Sequence, residues 1–409
     1  METNLLKNYA ELIVEVGINI KPKQEVVVVA ELDQPDFVKL VVETAYKKGA
    51  KKVEVEWSHQ PLTGVHINHR NDEVLTTVED WEIEKLKHRR DVLPCMIYIL
   101  SEDPDGLNGI NREKYALSHS ARYKKIKPIR DEMDNKYQWC IAAVPGKKWA
   151  QKMFPDLNSD EAVEKLWQAI LQTSRVYGNA KENWQNHNLE LKKRCDFLNS
   201  LSIKSLHYKS ANGTDLTVGM LEKAQFLGGG EYTLSGNFFN PNIPSEEVFI
   251  TPDKLKADGV VYSSKPLCYR GELIDEFFIK FENGFAVDCG AKVNEPLLKT
   301  LINMDEGSHR LGECALVPFN SPINNTGLLF YNTLFDENAA CHLALGEGFT
   351  NTIKNYDKYS LEELRQMGVN DSMIHEDFMI GTADLNITAT TFDGREVEIF
   401  KNGDWAFKI

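Results

Sequence analysis

Residues 25–57 read EVVVVAELDQPDFVKLVVETAYKKGAKKVEVEW, and this stretch decides the fold class of the first half of the chain. The apolar run at 26–30 predicts a buried strand, and Pro35 suits the first turn of a following helix. Val53, Val55 and Trp57 then alternate with charged residues, which is typical of a strand with one wetter face. The stretch therefore predicts a strand, helix, strand unit of a parallel sheet.

The pattern continues to about residue 200 and then changes. Two further strands are predicted at 95–100 and 139–144, followed by a long charged helix at about 180–199. Beyond it, apolar residues alternate with a period of two, and Asn-Gly and Asp-Gly turns separate short strands. We expect an α/β N-terminal domain with an open, mostly parallel sheet over residues 1–200, and a β-rich α+β C-terminal domain over residues 201–409.

Composition excludes several classes of protein. The 409 residues are 42% hydrophobic and 26% charged, which is usual for a multidomain globular chain. The longest apolar runs fall far short of the roughly 18 residues that span a bilayer, so no membrane segment is expected. Because 61 acidic residues oppose 47 basic ones, the net charge of −14 would repel phosphate backbones, and no nucleic-acid partner is expected.

The cysteines indicate the compartment. There are seven, an odd number, widely spaced and without a CxxC pair. This usage favours free thiols in a reducing environment, so a cytoplasmic location is expected. Residues 1–17 have the periodicity of an amphipathic helix and lack the pattern of a signal peptide.

Several familiar sequence motifs are incomplete or absent. The PGKK string at 145–148 lacks the upstream Gly and the Ser or Thr of a phosphate-binding loop, and the GGG string at 228–230 lacks the GxGxxG spacing. No GxSxG nucleophile elbow occurs. His59, His66 and His69 cluster without an acidic residue at ligand spacing, so a surface or loop role is favoured for them.

The string MIHEDFMIG at 373–381 predicts a strand with unusual chemistry. A period of two places His375 and Asp377 on one face, while Glu376 points to the other. A His and an Asp at this spacing can bind one metal ion. The strand is therefore a candidate metal site.

Three more ionisable residues lie in apolar surroundings, namely Glu247, Glu313 and His342. Taken singly, each has an ordinary explanation: a salt-bridged glutamate or a hydrogen-bonded core histidine. Together with the 375–377 pair they match the carboxylate and imidazole ligands of hydrolytic Zn, Co or Mn sites. Cys314 and Cys341 adjoin two of these residues, but strand alternation turns their thiols toward the core.

At these residues the chain resembles peptidase family M29, the thermophilic-type metalloaminopeptidases. The resemblance is carried by four strings in order and by the opening GINIKPKQEVVVVA at 17–30. The four strings are NIPSEEVFITP (242–252), LGE (311–313), LFDENAACHLALG (334–346) and IHEDFMIG (374–381). The likeness therefore extends over essentially the whole chain.

The resemblance implies a set of site residues and a cofactor. Two divalent cations per subunit, of Zn, Co, Mn or Mg, are implied, and Glu313 is expected to bridge them. The implied ligands are Glu247, Glu313, His342, His375 and Asp377. Glu337 matches an acidic position before the ligand His, where it would be a ligand or the general base, with Glu246 the weaker candidate for the base.

The resemblance also implies an activity. At one position, however, the chain departs from the sequence pattern of the family. The implied activity is removal of N-terminal residues from short peptides with a free N-terminus, by a homodimer whose β-rich domain is catalytic. The family commonly has Tyr seven residues after the ligand His, where this chain has Phe349. Tyr331, Tyr356 and Tyr359 are alternative sources of a phenol.

Two other functions remain open at the level of sequence. One is a related metal-dependent amide hydrolase that acts on a different amide. The other is a non-catalytic α/β protein that binds a small molecule. Peptides with free and acetylated N-termini would separate the first from an aminopeptidase, and metal content would separate the second.

Overall fold

The computed structural model describes residues 3–409. The helices, in chain order, are α1 Thr3–Leu12, α2 Pro35–Lys47, α3 Gln60–His69, α4 Asp72–Thr76, α5 Asp80–Val92, α6 Arg112–Asp131, α7 Lys147–Met153, α8 Ser159–Thr173, α9 Ala180–Ser200, α10 Glu295–Ile302, α11 Thr333–Asp336 and α12 Leu361–Met367. Within residues 3–409, none of these helices has the length and apolar character needed to cross a membrane.

The strands are mostly short. In chain order they are β1 Glu25–Glu31, β2 Lys52–Ser58, β3 Cys95–Leu100, β4 Trp139–Ala143, β5 Ile203–Lys209, β6 Asp215–Met220, β7 Leu227–Gly228, β8 Glu231–Tyr232, β9 Phe238–Phe239, β10 Val248–Ile250, β11 Pro252–Tyr262, β12 Leu267–Tyr269, β13 Glu272–Glu282, β14 Phe285–Val293, β15 Leu311–Leu316, β16 His342–Gly346, β17 His375–Met379, β18 Asn386–Thr391, β19 Glu396–Lys401 and β20 Asp404–Trp405.

Strands β1 to β4 form one parallel sheet with the order β2-β1-β3-β4. The predicted βαβ unit is confirmed, because α2 begins at Pro35 between β1 and β2. Gly49 follows this helix with φ of +97°, a left-handed conformation that glycine adopts without steric cost. The predicted α/β fold of the first half is therefore confirmed.

Aromatic side chains pack helices beside this sheet. The Tyr9 hydroxyl donates a hydrogen bond to the Ala143 carbonyl at the end of β4, at 3.1 Å. The Tyr9 ring stacks on Phe37 of α2, and Trp167 of α8 packs edge-on against both rings. These contacts fix α1, α2 and α8 together around a buried aromatic cluster.

The described chain divides into two compact units. The first contains the described residues up to Gln185, with Gly230–Pro244 and Arg270–Glu272, and the second contains Asn186–Gly229, Ser245–Tyr269 and Leu273–Ile409.

The second unit is rich in antiparallel strands, as predicted. Its larger sheet has nine strands in the order β12-β13-β11-β6-β5-β18-β19-β20, with β14 paired to β13. Its smaller sheet has five strands in the order β17-β16-β15-β10-β7. All pairs in the smaller sheet are antiparallel, so consecutive strands place neighbouring side chains on common faces.

One hydrophobic core contains residues of both sheets of this unit. The rings of Phe277 on β13 and Phe378 on β17 lie 5.9 Å apart, which joins the two sheets directly. Cys314 and Cys341 are buried in the same core, as strand alternation predicted. Because β15 and β16 are buried along their whole length, any polar side chain on them needs a partner.

Candidate metal centre

Three adjacent strands of the five-stranded sheet carry most of the predicted ligands. Glu313 lies on β15, His342 begins β16, and His375 and Asp377 lie on β17. Glu247 comes immediately before β10, the next strand of the same sheet. The sheet order therefore brings together ligands that are far apart in the chain.

Small residues on β16, which lies between β15 and β17, make room for these side chains. In the register, Ala344 of β16 lies between Glu313 of β15 and Asp377 of β17. Gly346 lies opposite His375 with φ of +104°, and a Cβ there would be 2.0 Å from the carbonyl oxygen of residue 374. The period of two puts both small residues on the same face as His342, where they leave space for the flanking ligands.

The ligand atoms form two groups that share one residue. Glu247, Glu313 and His342 each offer an atom to the first group, and Glu313, His375 and Asp377 to the second. Within each group the atoms lie within 4.8 Å of one another. All five predicted ligands therefore meet, with Glu313 common to both groups.

Backbone carbonyls orient both imidazoles. His375 Nδ1 lies 2.7 Å from the Glu347 carbonyl oxygen, and His342 Nδ1 lies 3.3 Å from that of Ala340. A carbonyl oxygen only accepts, so each Nδ1 is the donor, and each Nε2 is the ring nitrogen that faces the carboxylates. The two Nε2 atoms lie 3.0 Å from carboxylate oxygens, of Glu313 for His375 and of Glu247 for His342.

The buried charges shift one another's pKa. Burial raises the pKa of Glu313 to about 7, and the negative charges of Asp377 and Glu247 act in the same direction. Burial also raises the pKa of Glu337 well above its usual value. For His342, burial acts to lower the pKa, but the hydrogen bond and charge of Glu247 raise it to about 10. Four carboxyl groups thus surround two imidazoles, and the raised pKa values of Glu313 and Glu337 reflect the cost of burying their negative charges together.

The residues present fit divalent cations. Within residues 3–409, Asp377 Oδ1 is a buried oxygen without a hydrogen bond, and it lies 3.4 Å from His375 Nε2 and 3.9 Å from His342 Nε2. An unsatisfied buried carboxylate oxygen costs free energy, which a bound cation would offset. Carboxylate and imidazole ligands without thiolates suit Zn, Mn or Co.

Glu337 and Glu246, the two candidates for the general base, have different surroundings. Glu337 begins a 3₁₀ turn directly after α11, and its buried carboxylate feels the charges of the ligand carboxylates. Glu246 is also buried, but its carboxylate lies 3.9 Å from His187 Nε2 of α9 and belongs to neither ligand group. The two carboxyl groups therefore differ in their surroundings, because Glu337 interacts with the predicted ligands and Glu246 with His187.

Comparison with known proteins identifies the family. Residues 2–405 match the family described as Thermophilic metalloprotease (M29). The chain belongs to this family. It is 42% identical over 404 residues to aminopeptidase AmpS of Bacillus subtilis, a match that covers 98% of each chain. It is 36% identical over 408 residues to aminopeptidase T of Thermus aquaticus, covering 98% of each.

A solved structure extends the likeness to three dimensions. Wild-type AmpT from Thermus thermophilus superimposes with a TM-score of 0.89 and 34% sequence identity, covering 99% of both chains. This M29 protein is therefore a metalloaminopeptidase, a hydrolase of peptide bonds that needs a divalent metal. The family and activity predicted from the sequence strings are confirmed, and the two alternative functions are not favoured.

Phe349 lies against one of the predicted ligands. Its ring centroid is 4.7 Å from that of the His375 imidazole and 5.4 Å from the ring of Phe249. The backbone of Phe349 is held by the Thr251 hydroxyl, which accepts from its N–H at 2.8 Å. This M29 chain therefore presents an apolar ring at the edge of the site.

The three tyrosines considered as substitutes have different surroundings. The Tyr359 hydroxyl accepts a hydrogen bond from Lys223 Nζ at 2.7 Å. Tyr356 and Tyr359 pack against a small separate cluster that contains Ile353. Tyr331 lies in the loop before α11 with φ of +55°. Of these three tyrosines and Phe349, Phe349 is the one whose ring contact with His375 the structure describes.

The sequence did not reveal the groups that support the ligands. The Glu347 carbonyl and the Asn338 amide orient His375 and Glu337, respectively. The HLALG string does contain small residues two and four positions after His342, so strand alternation could have predicted the role of Ala344 and Gly346. A carbonyl that orients an imidazole leaves no such signal, because every residue has one.

Proposed function

We propose that this M29 enzyme is a two-metal aminopeptidase that removes N-terminal residues from short peptides. The observation that carries the proposal is that Glu313 belongs to both groups of candidate ligands. One carboxylate has two oxygens and can therefore bridge two cations. A single-metal site would leave one of the two groups as an uncompensated cluster of buried charge.

The ligands divide into two pairs around this bridge. Glu247 and His342 would hold one cation, His375 and Asp377 the other, and Glu313 both. When bound, the cation pair polarises the scissile carbonyl, lowers the pKa of a water and gives the α-amine a Lewis-acid contact. Zn, Co, Mn and Mg are the candidates, and the oxygen-rich ligand set admits each of them.

Glu337 is the proposed general base. Its carboxylate would take a proton from the attacking water and deliver it to the leaving amine. Burial and the nearby carboxylates raise its pKa, which makes the Glu337 carboxylate a stronger proton acceptor. This proposal assigns Glu337 to proton transfer rather than to metal binding.

We also propose a cytoplasmic location, a homodimeric state and a catalytic C-terminal domain. All seven cysteines are free thiols, which supports a cytoplasmic location. The resemblance to M29 enzymes supports a homodimer and a functional division near residue 200, with catalysis in residues 201–409. Light scattering on the purified chain would measure the oligomeric state, and a monomeric active species would refute the homodimer.

The function is tested by removing and restoring metal. We expect exhaustive chelation to abolish hydrolysis of a tripeptide with a free N-terminus. Zn, Co, Mn or Mg should restore activity in proportion to added metal up to two equivalents per chain. The matched control substrate is the same tripeptide with an acetylated N-terminus, which should resist cleavage.

Each contrary result of these experiments would indicate a different function or a different number of metal ions. Equal cleavage of the acetylated peptide would indicate a hydrolase that does not recognise the α-amine. No turnover of any peptide at full metal occupancy would indicate a binding protein. Full activity at one equivalent, with no second metal detected, would refute the two-metal proposal.

A further inference from the structure

Asn338 is a buried amide between the proposed base and another part of the site. It follows Glu337 in the 3₁₀ turn and is 0% exposed. Its Oδ1 accepts a hydrogen bond from the backbone N–H of Glu246 at 2.7 Å. Its Nδ2 donates to the Leu334 carbonyl at 3.0 Å and to Glu337 Oε1 at 3.2 Å.

This network fixes the orientation of the amide. A backbone N–H can only donate, so the oxygen of Asn338 must face Glu246. The nitrogen must then face Glu337, and its two hydrogens have one acceptor each. The amide therefore has a partner for its oxygen and for both hydrogens, and a flipped amide would lose all three hydrogen bonds.

The contact with Glu337 has no substitute nearby. In the part of the chain that the structure describes, Asn338 is the one hydrogen-bond donor to the Glu337 carboxylate. The other charges around this carboxylate include Asp377 and Glu247, which repel it. Hydrogen bonds to a charged acceptor are worth more than those between neutral groups.

We propose that Asn338 is a positioning residue for catalysis: it holds the Glu337 carboxylate toward the ligand groups and ties it to the segment that carries Glu247. The proposal rests on the proposed role of Glu337 as the general base. Because Glu246 directly precedes Glu247, one amide links the base to the segment that carries a predicted ligand. Removing the donor would free the carboxylate while leaving the ligands themselves intact.

The variant Asn338→Asp tests this role. It keeps an oxygen for the Glu246 N–H but removes the donor that faces Glu337. We expect kcat to fall by about 10- to 100-fold, with KM and the bound metal per chain close to those of the parent. The matched control is Asn199→Asp, since the Asn199 amide hydrogen-bonds only backbone groups of Phe226, at 2.7 and 3.0 Å; it should leave kcat unchanged.

A double-mutant cycle separates positioning from a structural role. In a Glu337→Gln background, Asn338→Asp should cause little further loss of kcat, because its effect is exerted through Glu337. Losses of equal size in both backgrounds would overturn the proposal, as would an unchanged kcat in Asn338→Asp. If Asn338→Asp loses metal or fold, Asn338→Ser replaces it in the cycle with the same two readings.

The two proposals fail in different ways. If the parent enzyme shows no metal-dependent aminopeptidase activity, the proposed function fails whatever Asn338 does. If the parent is active and Glu337→Gln retains its full kcat, Glu337 is not the base and the role of Asn338 falls with it. If Glu337→Gln is slow and the cycle is additive, only the inference about Asn338 is overturned.

Discussion

Phe349 places an apolar ring where M29 sequences commonly have a tyrosine, and this ring lies 4.7 Å from the imidazole of His375. A tyrosine here could donate a hydrogen bond to charge that develops on the substrate carbonyl. Removal of one such donor typically costs about 2.7–4 kcal/mol of transition-state stabilisation. We therefore expect Phe349→Tyr to raise kcat with little change in KM, measured in steady-state kinetics on the metal-loaded enzyme.

A hydroxyl on the neighbouring ring serves as the control. Phe249→Tyr adds the same group to the ring that packs edge-on against Phe349, and it should give no gain in kcat. An unchanged or lower kcat in folded, metal-loaded Phe349→Tyr would show that Phe349 is a packing residue and that the site does not need this donor.

At the scale of the element, strand alternation in β17 places its two predicted metal ligands on the same face. His375 and Asp377 contribute to the same ligand group, whereas Glu376 lies between them and contributes to neither group. We expect His375→Ala and Asp377→Ala each to lower kcat/KM by several orders of magnitude, because each removes a ligand from a buried site. Glu376→Ala should retain most of the activity, measured at equal metal concentration.

Measuring the metal bound by each variant shows whether a loss of activity is caused by a loss of metal. The two ligand variants should bind less metal than the parent, while Glu376→Ala should bind the parental amount. An inactive Glu376→Ala variant that keeps its fold and its metal would contradict the assignment, since the side chain on the opposite face would then take part in catalysis.

At the scale of the whole molecule, the five predicted ligands and Glu337 all belong to the second compact unit. Cations bind the folded site but not the dispersed ligands of the unfolded chain, so they stabilise the native state by about 2.7 kcal/mol at 100 times Kd. We expect added metal to raise Tm by several degrees in calorimetry, and a chelator to reverse the rise.

This stabilisation should depend on pH in a defined direction. Burial raises the pKa of Glu313 to about 7 in the metal-free site, so below that pH a cation must displace a proton. The rise in Tm at a fixed metal concentration should therefore be larger at pH 8 than at pH 6. Equal shifts at both pH values, or a larger one at pH 6, would contradict competition between a proton and the cation at Glu313.

The sequence by itself determined the elements and the chemistry of the site. Periodicity predicted the parallel sheet of the first half and the antiparallel strands of the second, because local patterns of apolar residues report which face a strand buries. Ionisable residues in apolar strings, such as Glu313 and His342, stood out because burying them without partners costs free energy. The resemblance to M29 then supplied the family, which the comparisons confirmed.

Only the tertiary structure decided how these residues meet. The strand order β17-β16-β15-β10 brings the five predicted ligands into two groups that share Glu313, and no local pattern encodes which strands become neighbours. The same holds for Asn338, whose amide joins Glu337 to the backbone of Glu246, a residue 92 positions from Asn338 in the chain. Pairing between distant strands depends on the packing of the whole core, so sequence periodicity can name the side chains of a site but cannot fix the distances between them.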